Sequence, residues 1–391
     1  MAKTRKKEQH VAVFGESGSG KTVLVSSFYG AAREQQHGKD KLFSIVADKT
    51  SQGRFLHQTY LGMRGSAQLP IATSHDSESY SFSINVKDAS NRKSEKNRPF
   101  DALRLVWHDY PGEWFEEDAS GTEATRRVET FRNLLKSDVA FILVDGQRLL
   151  DNSGDEERYL KALLTNFANG LLLIKDDLLE DGRPFVQFPR IWIFALSKAD
   201  LLPDVNVFDF RDLLVSKASN EIDQLEEVLA GFVQERQALS VGEDFVLLSS
   251  AKFEAGRIEV AQRIGLNLIL PIAAMLPFER HVRWAKAMNG RGKVYKHLVD
   301  GAGAMAGALG GIGALANKLN NGNNKLVKSL GLVLTHFGGA IEEAAKLFGD
   351  RLLDANGDAV AKEEHLRATL TGFQMDLASG EDDQIFIRSD R

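Results

Sequence analysis

FGESGSGKTVL (residues 14–24) follows directly on the apolar run Val11-Ala12-Val13. An apolar segment that breaks into glycines and ends on a lysine is suited to holding an anion at the start of a helix. Gly15, Gly20, Lys21 and Thr22 satisfy G-x-x-x-x-G-K-[ST], and Gly18 adds a third glycine between Ser17 and Ser19. Glycines let backbone N–H groups converge on phosphate oxygens, and the helical pattern from Val23 to Ala32 offers its N-terminus to the same anion. Lys21 is expected to reach the β- and γ-phosphates, and the Thr22 hydroxyl to ligate magnesium. The stretch from Gly15 to Val23 reads as a nucleoside triphosphate cradle.

Composition bounds the rest. The chain has 391 residues, 43% hydrophobic and 26% charged, as in a globular protein of one large domain or two ordinary ones. It contains no cysteine, which excludes a disulfide framework, a cysteine-ligated zinc and a thiol nucleophile. The basic start MAKTRKKEQH has no apolar core of a signal peptide, so a cytoplasmic protein is expected. A net charge of −5 gives no reason to expect nucleic acid as a partner.

Three later segments choose the nucleotide. Residues 103–112 read LRLVWHDYPG, an apolar strand running into Asp109-Tyr110-Pro111-Gly112. An aspartate ending a strand beside the phosphate loop can hold magnesium, and the glycine three residues later can offer its N–H to a γ-phosphate. Residues 191–200, IWIFALSKAD, put Ser197, Lys198 and Asp200 where GTPases carry [NT]-K-x-D. There a carboxylate accepts from the guanine N1 and N2 hydrogens while the lysine stem covers the base. Adenine lacks that pair of donors. FVLLSSAK (245–252) adds Ser250, Ala251 and Lys252 for the guanine O6 side. Each motif is weak alone, but together they stand in GTPase order, each at the end of an apolar strand. Serine at 197 is the departure: an asparagine there would brace the phosphate loop.

A first switch should lie between Thr22 and Asp109. Tyr80, Phe82, Ile84 and Val86 alternate with polar residues as in an edge-type strand, and upstream stands LPIATSHDSES. Thr73 is the first choice for the magnesium-ligating hydroxyl, with Thr50 and Thr59 as alternatives.

The run HDYPGEW (108–114), with the phosphate loop, the L-P-x-x-T-like segment and SKAD, resembles the YcjX-like, double-GTPase-type bacterial proteins. These are Ras-like proteins of the translation-factor-related class, associated with stress or accessory operons. The resemblance covers about residues 10–290 and implies a six-stranded Ras-like sheet, Mg-GTP and a slow hydrolytic switch. The C-terminal third carries no such likeness.

Many small GTPases have glutamine directly after the glycine of D-x-x-G, where it orients the attacking water. This chain has Glu113, whose charge would face a polyanionic phosphate. Either intrinsic turnover is slow, or Glu113 turns outward until a partner binds. With Lys21 and Gly112 it completes the candidate catalytic set. Arg126 and Arg127, after the switch, are candidate fingers in trans.

Strands at about 10–14, 79–87, 102–108, 139–145, 190–196 and 245–249 alternate with helical patterns, giving an α/β fold with an open, mainly parallel sheet. Asp145 reads as a plain strand end. The expected layout is a flexible basic segment 1–9, a GTPase domain 10–290 with a helical insertion near 147–189, a helical Gly/Ala-rich extension 291–375, and a disordered acidic tail 376–391. DANGDAVAKEEH (354–365) approaches calcium-loop spacing but lacks the glycine at its sixth position and the glutamate at its twelfth, so no calcium is expected.

GAGAMAGALGGIGALA (301–316) is free of charge and places Gly303, Gly307 and Gly311 on one helical face. Three readings of the extension stay open: packing on the GTPase domain, on a protein effector or on a second copy; insertion at a membrane surface, which would place the protein peripherally on the inner membrane; or a loose linker. Three functions stay open with it. The leading one is a slow magnesium-dependent GTPase switch. The others are a nucleotide-gated scaffold with little hydrolysis and a dynamin-like enzyme assembling on lipid.

Overall fold

The computed structural model describes residues 7–35, 43–66, 78–86, 103–109, 121–254, 257–288, 293–294, 296–298 and 360–389. Its centre is a mixed sheet of eight strands in the order β10-β7-β6-β5-β1-β4-β3-β2. The strands are β1 (Lys7–Phe14), β2 (Phe43–Ala47), β3 (Glu78–Val86), β4 (Leu103–Asp109), β5 (Val139–Asp145), β6 (Ile191–Ser197), β7 (Ser240–Leu248) and β10 (Phe386–Ile387). A separate hairpin joins β8 (Lys252–Glu254) to β9 (Arg257–Glu259). Strands β4, β1, β5, β6 and β7 run parallel, while β2, β3 and β10 join antiparallel.

Strand residues alternate between two apolar layers, as the two-residue period of a strand requires. Val11, Val13, Phe141, Leu143, Ile193 and Ala195 face one layer, built also from α1 (Lys21–Gln35), α8 (Ile269–Ala287) and α9 (Val360–Asp382). Ala12, Phe14, Ile142, Val144, Trp192 and Phe194 face the other, with α3 (Gly121–Leu134), α5 (Glu156–Leu173) and α7 (Val207–Ala230). Helix α2 (Thr50–Ser66) lies on α1, where Gly30 lets the Tyr60 ring approach the helix backbone. Two short helices, α4 (Gly146–Asp151) and α6 (Lys175–Leu178), stand near the ends of α5. Every residue of β5 and β6 is buried, which explains why both read as unbroken apolar runs.

The fold class expected from sequence is observed, with four corrections of detail. The sheet has eight strands, because β2 and the C-terminal β10 join the six expected. Strand β3 is therefore interior, with β2 outside it: Phe43 pairs with Val86. Strand β1 begins at Lys7, inside the segment expected to be flexible, and its register on β4 runs from Lys7 opposite Leu103.

The acidic tail is not disordered as expected. Phe386 is buried and pairs with Val246 of β7, and Arg388 reaches Glu279 and Glu381, so neighbouring arginine and apolar contacts offset the acidity. The segment 301–316, with Gly303, Gly307 and Gly311, lies outside the described residues.

Candidate functional site

Parallel strands bring the candidate residues to one edge. The register sets Asp145 opposite Ser197, and Ser197 opposite Leu248, so three strands end in one row. The phosphate-loop sequence leaves β1 beside them, and helices α1 and α3 pack on opposite faces of the sheet. Ligands of open α/β sheets bind outside the carboxyl ends of strands at such a switch point.

Gly18 and Gly20 have φ of 78° and 90°, backbone that a side chain would strain, and this turns the loop tightly before α1. Lys21 is buried, and its Nζ donates to the carbonyls of Gly15 at 2.8 Å and Glu16 at 3.0 Å. Its ammonium thus sits inside the turn. Ser19 is 1% exposed and its Oγ finds no hydrogen-bond partner among the described residues. A loop with left-handed glycines, an enclosed cation and an orphaned hydroxyl fits a phosphate chain chemically.

At the other end of the row, Lys198 adopts φ 54° and so turns back toward β5. Its Nζ donates to Asp145 Oδ2 at 2.7 Å. The Ser197 hydroxyl donates to the Val144 carbonyl at 3.3 Å. Asp200 is held from two sides: Oδ1 accepts from the Ser249 hydroxyl at 2.5 Å, and Oδ2 from the Phe253 N–H at 3.1 Å. Both bonds fix the carboxylate plane and leave lone pairs for donors from a ligand. Ser250 and Ala251 are buried next to it, whereas Lys252 is exposed and pairs with Glu254 at 2.9 Å. The structure therefore brings Ser197, Lys198, Asp200, Ser250 and Ala251 together.

The magnesium set is described only in part. Thr22 lies in the first turn of α1, and Asp109 ends β4 with its backbone opposite Glu78. Thr73, Gly112 and Glu113 lie outside the described residues. Thr50 and Thr59, the alternatives to Thr73, both sit on α2. Among the described residues no group of acidic and histidine side chains is arranged to hold a metal. Arg127 is 6% exposed and in contact with neighbours, so it is no finger reaching outward; Arg126 on the same helix is exposed.

Sequence reasoning missed several contacts. Asp145, read as a strand end, caps α4 through Gln147 N–H at 2.9 Å while also pairing with Lys198. Arg148 pairs with Glu16 at 2.9 Å, and neither residue carries a motif that announces it. His108, just before Asp109, stacks on His10 with Nε2 3.1 Å from His10 Nδ1 and Nδ1 2.8 Å from Ser79 Oγ. Burial, then the neighbouring His10, pushes His108 down to about 3, which keeps it neutral.

Residues 9–228 match the protein family described as Double-GTPase 2. No curated protein matches the chain. Among solved structures it is similar to the signal recognition particle receptor SRb-GTP/SRX complex from Chaetomium thermophilum, at 17% identity over 64% of this chain and 94% of that one, with a TM-score of 0.30. It is also similar to Roco2 RocCORdC bound to GDP from Methanosarcina barkeri, at 13% identity over 77% and 64% of the two chains, TM-score 0.24. A third likeness is to an oligomerised bacterial dynamin pair, at 13% identity over 97% and 61%, TM-score 0.27.

Proposed function

This chain belongs to the Double-GTPase 2 family, and on that premise we propose a magnesium-dependent molecular switch that hydrolyses GTP slowly to GDP and phosphate. GTP binding and hydrolysis come with the family. The division of labour among residues is our reading of the site. The observation that carries it is the placement of Asp200, a carboxylate held from two sides on the same strand edge as the phosphate loop.

In this reading Gly15 and Ser17 to Val23 wrap the phosphate chain, and Lys21 neutralises it. Asp200 accepts from guanine, the Lys198 stem covers the base, and Ser197, Ser250 and Ala251 close the pocket around it, with Lys252 at its exposed rim. Thr22, Thr73 and Asp109 would hold magnesium, which supplies charge neutralisation at phosphate oxygens. Gly112 offers an N–H to the γ-phosphate. Glu113 slows the reaction by setting negative charge where water must approach, until a partner turns it.

For the layout we propose a GTPase domain reaching to about residue 290, followed by the extension 291–375 as an arm for a protein effector, a second copy or a membrane surface. Helix α9 overlaps the end of that extension but packs on α8 and into the apolar layer of the sheet, so the proposed arm is the stretch before it. Among the described residues no helix is long and apolar enough to cross a membrane. Nucleic acid is not a proposed partner.

Titration of GTP against ATP, with and without magnesium, tests the nucleotide choice, and multiple-turnover phosphate release tests the switch. Equal affinity for ATP would overturn the base assignment. Tight GTP binding without turnover would replace the switch by a scaffold.

A further inference from the structure

Ser197 stands where an asparagine would brace the phosphate loop, but its hydroxyl is given to the Val144 carbonyl at 3.3 Å. A different link joins the two loops. Helix α4 starts against the base-reading turn: a Cβ on Gly146 would lie 2.8 Å from the Ser197 carbonyl oxygen and 2.9 Å from that of Lys198. Only glycine allows that approach. Asp145, the N-cap of the same helix, accepts from Gln147 N–H with Oδ1 at 2.9 Å and from Lys198 Nζ with Oδ2 at 2.7 Å.

One turn further, Arg148 pairs with Glu16 Oε2 at 2.9 Å and directs Nη2 to the Ser17 carbonyl at 3.5 Å. Glu16 and Ser17 both belong to the phosphate loop. A continuous path of ion pairs and one helical turn thus runs from Lys198 through Asp145 and Arg148 to that loop.

Burial decides which link is the stronger. The Asp145 side chain is 4% exposed, so water screens its pair with Lys198 poorly. The Arg148 and Glu16 side chains are 40% and 19% exposed, so theirs is a softer contact. An ordinary helix cap would account for the Gln147 bond alone. It would not account for Lys198 folding back in left-handed backbone to reach the second oxygen.

We propose that Asp145 and Arg148 are positioning residues that couple the base-reading turn to the phosphate loop, in place of the asparagine this chain lacks, and so set how long guanine nucleotide stays bound. This rests on the guanine-nucleotide reading of the site.

The experiment follows release of methylanthraniloyl-GDP from the full chain. Asp145→Asn keeps the helix cap and removes the charge facing Lys198. Arg148→Ala removes the other link. Asp145→Asn should speed release by roughly tenfold, the size of coupling between groups in contact, and Arg148→Ala by roughly threefold, as befits the softer pair, while thermal unfolding stays near that of wild type. Ser197→Asn should slow release severalfold in the Arg148→Ala background and change wild type by less than about twofold, because only the mutant lacks a brace. Should Ser197→Asn fail to fold, the exchanged pair Glu16→Arg with Arg148→Glu should release more slowly than Arg148→Glu alone.

Release at the wild-type rate from both Asp145→Asn and Arg148→Ala overturns the coupling, as does an equal effect of Ser197→Asn in the two backgrounds. A wild-type chain that takes up no labelled GDP overturns the guanine reading and the coupling with it. Wild-type uptake with unchanged mutant release overturns the coupling alone.

Discussion

Arg388 lies 3.2 Å from Glu279 across 109 residues of sequence, which fastens the end of the chain to helix α8. Beside this pair Arg280 meets Asp244 at 2.8 Å, both buried, and Ser389 N–H also donates to Asp244 at 2.9 Å. The C-terminus thereby closes a charged cluster in an otherwise apolar layer.

That cluster sets a pH dependence. Burial outweighs the attraction of Arg388, Arg280 and Arg283, with Glu381 adding repulsion, and pushes Glu279 up to about 7 from 4.5. A carboxyl with a raised folded pKa holds its proton longer when folded than when unfolded. Its contribution to stability is full below about 4.5 and is lost as pH rises through about 7. Glu279→Gln removes the titration while keeping a carbonyl for Arg388. Relative to that variant, wild type should lose about 1–3 kcal/mol between pH 5 and pH 8 in urea unfolding. Asp244, also raised by burial, is present in both proteins. Parallel stability curves would contradict the prediction.

Phe386 gives a second test of the docked end. It is 1% exposed, pairs with Val246 at the sheet edge and joins the apolar layer of α8 and α9. Phe386→Ala should cost about 3 kcal/mol, the lower end for a buried phenylalanine because the strand is short. Denaturant titration reads the loss. A change below about 0.5 kcal/mol, the range of ordinary surface substitutions, would mean that the end is not docked.

The central strands were legible because β5 and β6 are buried on both faces, so their apolar runs need no alternation to be recognised. The phosphate loop was legible because its backbone demands glycine at fixed positions. Strand β2 was not: five residues, FSIVA, carry too little pattern, and their pairing is set by β3, some forty residues on. The last strand was hidden by its acidic neighbours: Arg388, just after β10, meets Glu381 of α9 and Glu279 of α8 only in the fold. Asp145 illustrates the limit for sites. A strand-ending aspartate looks the same in sequence whether it caps a helix or also grips a lysine 53 residues away.

Lys21 is the sharpest test of the phosphate loop. It is buried, and its ammonium donates to two loop carbonyls. Lys21→Ala removes those bonds and the only charge inside the turn that can meet a phosphate among Gly15–Val23. Affinity for GTP should fall by about a hundredfold, the size of one or two charged hydrogen bonds, with the circular-dichroism spectrum of the folded chain unchanged. GTP binding retained by the folded variant would remove the loop from the site.

Asp200 tests the base rather than the phosphates. Its two oxygens are oriented by Ser249 Oγ at 2.5 Å and Phe253 N–H at 3.1 Å, so the carboxylate presents acceptors in a fixed plane. Guanine offers two donors to such a plane, N1–H and the 2-amino group. Xanthine offers N1–H and a carbonyl oxygen, which the carboxylate repels. Asp200→Asn turns one acceptor into a donor, and the amide oxygen can still receive either Ser249 or N1–H. The preference should therefore move from GTP toward XTP. Each mismatched polar contact is worth about 1–3 kcal/mol, so the ratio of the two affinities should change by roughly tenfold to a hundredfold. Competition of GTP and XTP against one labelled nucleotide measures that ratio without depending on how much folded protein each preparation holds. A ratio that stays the same in the variant would mean that Asp200 does not read the base, even with its orienting contacts intact.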